Sequence, residues 1–132
     1  MFKSEKGFTL IEVIAVLVIL GILVAVAVPR YVDLIKQAKK SAAGAEVAEM
    51  KSTLNLSYAK YFISSGEAAT NGGMIIMQAG LIDGNPQNIG TSPDIWNVTL
   101  SNKGKAVEIV VNSRGTPADS DYQTTGTWNL PD

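Results

Sequence analysis

Hydrophobic positions in this 132-residue chain are concentrated in one block near the N-terminus. Residues 1–7 (MFKSEKG) are polar, with Lys3 and Lys6 against Glu5. Residues 8–28 then read FTLIEVIAVLVILGILVAVAV, 21 positions with a single charge, Glu12. About 20 apolar residues, each rising 1.5 Å, span the hydrocarbon core of a bilayer, so this stretch can cross a membrane as a helix. The two lysines would hold the N-terminal side in the cytoplasm and place the rest of the chain beyond the membrane.

The helical pattern continues past that block. Residues 30–62 are rich in Ala, Leu, Lys and Glu, all strong helix formers. Val47, Met50, Leu54, Tyr58 and Tyr61 recur at spacings of three and four, which gathers them on one face. Lys51 and Lys60, with Glu46 and Glu49, are expected on a more polar side. The spacing predicts one helix over about residues 8–62, roughly 80 Å if unbroken. Its first half is apolar all round and needs lipid or partner helices, whereas the second half is amphipathic. Pro29 removes a backbone donor and crowds the carbonyl four residues earlier, so a kink is expected there. Gly21 and Gly44 are further soft points in the helix.

From about Ser64 the character changes. Gly66, Gly72, Gly73, Gly80, Gly84, Pro86, Gly90 and Pro93 punctuate a loop region, with one short helix expected over residues 74–79. Residues 96–101 and 105–112, joined by a turn at Asn102-Lys103-Gly104, read as a β-hairpin. Val107, Ile109 and Val111 alternate with Glu108 and Val110, the period of a half-buried strand. A last strand is expected over residues 122–130. So little sheet makes a thin core by itself, and the amphipathic face of the long helix must complete it. The expected fold class is α+β: a long N-terminal helical spine with a small antiparallel β-sheet packed on its C-terminal half.

Composition narrows the chemistry. The chain has no His and no Cys, which removes Cys/His catalysis, Cys/His zinc sites and disulfides. The net charge of -1 gives no basic surface for nucleic acid. The loop aspartates Asp83, Asp94, Asp119, Asp121 and Asp132 show no acid–base pairing and read as solvated turn residues. Lys103-Gly104-Lys105-Ala106 is no phosphate loop, because Thr99 stands where the first glycine is required. Asp119-Ser120-Asp121 lacks the rest of a calcium loop. The glycosylation triplets at Asn55 and Asn97 fall on predicted regular elements. No enzyme activity, metal or cofactor is expected.

The block Lys6-Gly7-Phe8-Thr9-Leu10-Ile11-Glu12-Val13, followed by the apolar run and then AVPRY (residues 27–31), resembles the N-terminus of bacterial type IV pilins and type II secretion pseudopilins. The likeness covers about the first 55 residues. The stretch from Ile19 to Leu34 looks closest to pilins of the mannose-sensitive haemagglutinin type. The resemblance implies cleavage of the leader (residues 1–7) between Gly7 and Phe8 by a prepilin peptidase, then N-methylation of Phe8. It implies a membrane and filament-core half (residues 8–29) and a globular head (residues 30–132), of which residues 30–62 continue the helix. The partners would be copies of the chain, an inner-membrane assembly platform with its ATPase, and membrane lipid before assembly. The subunit would begin as a single-pass inner-membrane protein and end in a cell-surface pilus or a periplasmic pseudopilus. The resemblance also implies that the segment from Gly21 to Pro29 extends in the filament, and a simple kink fixed in both states is the competing reading. Lack of Cys departs from the many pilins that close a C-terminal loop with a disulfide.

Glu12 carries the physical argument. An ionised carboxylate inside a spanning helix costs roughly 2.5–3.5 kcal/mol on insertion scales and calls for a partner. No Lys or Arg lies within the span. The amino terminus freed at Phe8 of a neighbouring subunit is the expected cation. A competing reading of Glu12 is a helix-start carboxylate complementing the dipole. An ordinary secretory signal cut after Ala25-Val26-Ala27 fits less well, because the apolar run exceeds the usual 7–15 residues.

Overall fold

The computed structural model describes residues 7–91, 93–115 and 117–131. One helix, α1 (Leu10–Ser65), takes up 56 residues. The chain divides into two compact units, Met1–Lys36 and Gln37–Asp132.

In the first unit every described residue is exposed, and α1 is the one helix among the described residues long and apolar enough to cross a membrane. Pro29 lies inside α1, and residues 21–29 are helical.

Among its described residues the second unit contains the remainder of α1, a short helix α2 (Gly72–Gln78) and four strands: β1 (Pro86–Ile89), β2 (Trp96–Lys103), β3 (Ala106–Arg114) and β4 (Thr124–Asn129). A single 3-10 turn, Ser120–Tyr122, precedes β4. The strands form one antiparallel sheet in sequence order. Leu100 pairs with Ile109, and Val107 with Trp128. The β2–β3 turn is tighter than the sequence suggests, since pairing runs to Lys103 and Ala106. Gly104 sits at φ +77°, a conformation other residues adopt at a steric cost, and its N–H donates to Asn102 Oδ1 at 3.0 Å.

The core joins Ala43, Val47, Met50 and Leu54 of α1 to Val98, Leu100, Val107, Ile109, Val111 and Trp128 of the sheet, with Ile75 and Ile76 of α2 at the edge. Val107, Ile109 and Val111 are fully buried, as their alternation predicts. Close approach of α1 to the sheet depends on Gly126 in β4, where a Cβ would run into Val47 Cγ1. Trp128 Nε1–H donates to Asn55 Oδ1 at 2.7 Å and fixes β4 against the helix.

Several elements differ from the sequence expectation. Glu46 is buried, only 7% exposed, because the buried face of α1 is wider than the apolar stripe alone. Ser57 is also buried on that face, whereas Tyr58 and Tyr61 are only partly so. Helix α2 begins two residues earlier than expected, at Gly72, with Asn71 Oδ1 accepting the Met74 N–H as N-cap. Strand β1 is an addition. Pro86 opens it, as an edge strand permits, and pairing to β2 defines it rather than a pattern of its own.

Candidate functional site

The N-terminal unit presents a continuous apolar surface with one carboxylate. Gly7 and Phe8 precede the helix, and the Phe8 side chain is 89% exposed. Leu10, Ile11, Ile14, Leu17, Leu20 and Leu23 are likewise exposed. Exposure of such a helix to water is unfavourable, and burial in lipid or among other helices lowers the free energy.

Glu12 begins that helix. Its Oε2 accepts the Thr9 N–H at 2.8 Å and the Thr9 hydroxyl at 2.8 Å. Thr9 Oγ1 in turn accepts the Glu12 N–H at 3.4 Å. The reciprocal pair is a capping box, written in the sequence as Thr9-x-x-Glu12. Sequence reasoning treated Glu12 as a residue awaiting a partner and missed that Thr9 serves it locally. The signal for the cap was present in the spacing. Glu12 lines an open recess of about 320 Å³ together with Phe8, Val13, Val16 and Leu17. Glu12 is therefore a lone acidic group set in an apolar wall. Gly21 lies on an open part of the same helix, where an added Cβ would meet nothing within 4 Å.

The C-terminal unit holds a second cluster, in which Asp94, Asp119 and Asp121, read from the sequence as unpaired turn residues, are paired with cations. The Lys39 ammonium donates to Asp119 Oδ2 at 2.6 Å and to Asp121 Oδ2 at 3.2 Å. It also stands 5.5 Å from the centre of the Tyr122 ring. Arg114 pairs with Asp94, and its guanidinium lies 4.9 Å from the Trp96 ring and 5.4 Å from that of Tyr122. Trp96 and Tyr122 meet edge to face at 5.5 Å. Hydrogen bonds from Lys39 and from the Asp121 N–H hold the Asp119 carboxyl below its usual range. Asp119 raises the Lys39 ammonium pKa, and Asp121 adds to it. Burial pushes the Glu46 carboxyl up, and Glu49 adds repulsion that Arg114 partly offsets.

Asp119 and Asp121 thus converge on an ammonium from their own chain. Among the described residues no three His, Asp or Glu side chains come together as a metal site. Asn55 and Asn97 are both occupied in hydrogen bonds, Asn55 with Trp128 and Asn97 with Asn88 and Asn112.

Residues 2–28 match the family described as the prokaryotic N-terminal methylation motif. The chain is 36% identical over 114 residues to the type IV narrow pilus major component PilA5 of Thermus thermophilus, covering 83% of this chain and 88% of the relative. It is 30% identical over 145 aligned positions to a fimbrial protein of Moraxella nonliquefaciens, covering 91% and 94%. A type IV major fimbrial protein FimA of Dichelobacter nodosus is 40% identical over 54 residues, 41% of this chain and 35% of the relative. No solved structure matches the chain. With a methylation motif over residues 2–28 and two relatives aligned over 83% and 91% of its length, this chain belongs to the type IV pilin family.

Proposed function

We propose that the chain is a structural subunit of a type IV pilus, processed at Gly7/Phe8 and polymerised through its N-terminal helix. The observation that carries this reading is the exposed apolar helix with Glu12 at its start, in a chain whose full-length relatives are a pilus component and a fimbrial protein. The role is structural rather than catalytic. A prepilin peptidase removes residues 1–7 and methylates Phe8. Before assembly the helix anchors the subunit in the inner membrane. An assembly platform with its ATPase then moves subunits into a filament on the cell surface.

Burial of residues 8–28 among neighbouring helices supplies most of the cohesion. Glu12 supplies the register. In the isolated chain its carboxylate is served by the neutral donors of Thr9. In the filament it exchanges toward the Phe8 ammonium of an adjacent subunit, a charge-assisted bond roughly twice as strong as a neutral one. A subunit one turn out of place leaves that carboxylate buried with only the neutral donors of Thr9. The segment from Gly21 to Pro29 is helical before assembly, and its proline makes it the place where the helix yields in the filament.

The test is Glu12→Ala expressed in the source cell. Processed subunit starting at Phe8 should accumulate in the membrane at wild-type level, while the sheared filament fraction is lost. Filaments at normal yield from this variant would refute the assigned role of Glu12.

A further inference from the structure

We propose that Lys39 is an ionic latch that holds the surface loop between β3 and β4 against α1, and that ionic strength sets how firmly the latch is closed.

The loop is built in two steps. Its base is closed by backbone: the Arg114 N–H donates to Asp119 O at 3.2 Å, and the Asp119 N–H to Arg114 O at 3.0 Å. Its far end is then turned by Asp119 itself, whose Oδ1 accepts the Asp121 N–H at 2.9 Å. Those bonds order the loop internally without tying it to the helix. Lys39 adds the tie, reaching across 80 residues of sequence to the other oxygen of Asp119 and to Asp121. One carboxylate therefore shapes the turn with Oδ1 and docks it with Oδ2. Tyr122 continues the contact, its ring lying near both Lys39 and Arg114 and edge-on to Trp96.

A chain without cysteine has no covalent means of pinning such a loop. The tie present here is ionic. The Lys39 side chain is 22% exposed, but those of Asp119 and Asp121 are 38% and 56% exposed. Charges this open to solvent are screened by salt, with a Debye length falling from about 10 Å at 0.1 M to about 3 Å at 1 M. A disulfide would ignore that change. The latch therefore makes the order of residues 117–122 depend on the medium. Local opening of this loop leaves the buried sheet intact, since Val107, Ile109 and Val111 make no use of Lys39. The inference concerns the head alone and stands whether or not the subunit assembles as proposed above.

Amide hydrogen exchange on the full chain in detergent micelles tests it. In Lys39→Met the amides of Asp119 and Asp121 should exchange about fivefold faster, the scale of an ion pair half open to solvent. Amides of β2 and β3 should keep their wild-type rates. Wild-type protein in about 1 M NaCl should approach the rates of the variant, and the variant should show no further salt response at these amides. Unchanged rates at Asp119 and Asp121 in Lys39→Met would overturn the latch. So would a uniform rise through β2 and β3, or equal salt responses in variant and wild type.

Discussion

Gly126→Ala is the smallest change that probes how the head is put together. In an open strand this substitution would stabilise by about 0.4–1 kcal/mol, because alanine loses less freedom on folding. Here the new methyl is directed into Val47 Cγ1, with Lys51 Cε at 3.5 Å and Val47 Cβ at 3.6 Å. Val47 is only 7% exposed and cannot swing into solvent without leaving the core. Gly126 is itself paired to Ile109 of β3 in the middle of the β3–β4 ladder, so a retreat of β4, an edge strand, would disturb that pairing. Overpacking of this kind costs about 1–3 kcal/mol, so the net loss should be about 1–2 kcal/mol. For a unit of this size that lowers the melting temperature by roughly 5–15 °C. The assay is thermal unfolding of the full chain in mild detergent, followed by fluorescence of Trp96 and Trp128, both in the head. Val47→Ala removes the obstructing methyl groups and should be destabilising alone. Combined with Gly126→Ala it should be less damaging than the sum of the two, with a coupling of about 1 kcal/mol. A Gly126→Ala protein as stable as wild type, or strictly additive losses in the double variant, would refute this packing argument.

Two further substitutions address polar groups in the head. Glu46 is buried with its carboxyl raised above the ordinary value, so the folded protein holds that proton more tightly than the unfolded chain does. Stability linked to Glu46 is complete below about pH 4.3 and declines as pH climbs through the raised value. Glu46→Gln should therefore melt above wild type at neutral pH, with the gap closing near about pH 4; a lower neutral melting temperature would contradict this. Asn55→Ala leaves the indole N–H of the nearly buried Trp128 without its acceptor and should cost about 1–3 kcal/mol. Asn55→Asp keeps an acceptor and should recover most of that loss, and equal melting temperatures for the two variants would count against the bond.

The sequence carried the long helix, the hairpin and the assembly motif because each rests on local pattern. The uninterrupted apolar run made the first half of α1 unmistakable, and Val107, Ile109 and Val111 announced their strand by alternation. Strand β1 was not legible, since Pro-Gln-Asn-Ile has no alternation of apolar residues and is defined as a strand by lying beside β2. Burial of Glu46 was hidden for a similar reason: a glutamate beside Val47 reads as solvent-facing until other parts of the head cover it. Lys39 and Asp119 are separated by 80 residues, and nothing in either neighbourhood marks them as partners. At the N-terminus the reverse held. Thr9 and Glu12 have capping-box spacing, so their local partnership was legible in four consecutive residues.

The central claim is that this polypeptide is matured and assembled as a pilin, and the most direct test is the intact mass of the subunit from sheared surface filaments of its source cell. The account predicts a chain that has lost residues 1–7 and carries one added methyl group on Phe8. A chain beginning at Val28 would instead identify a secreted domain, and an uncut chain confined to the membrane would identify a plain anchor. Either result would contradict the account.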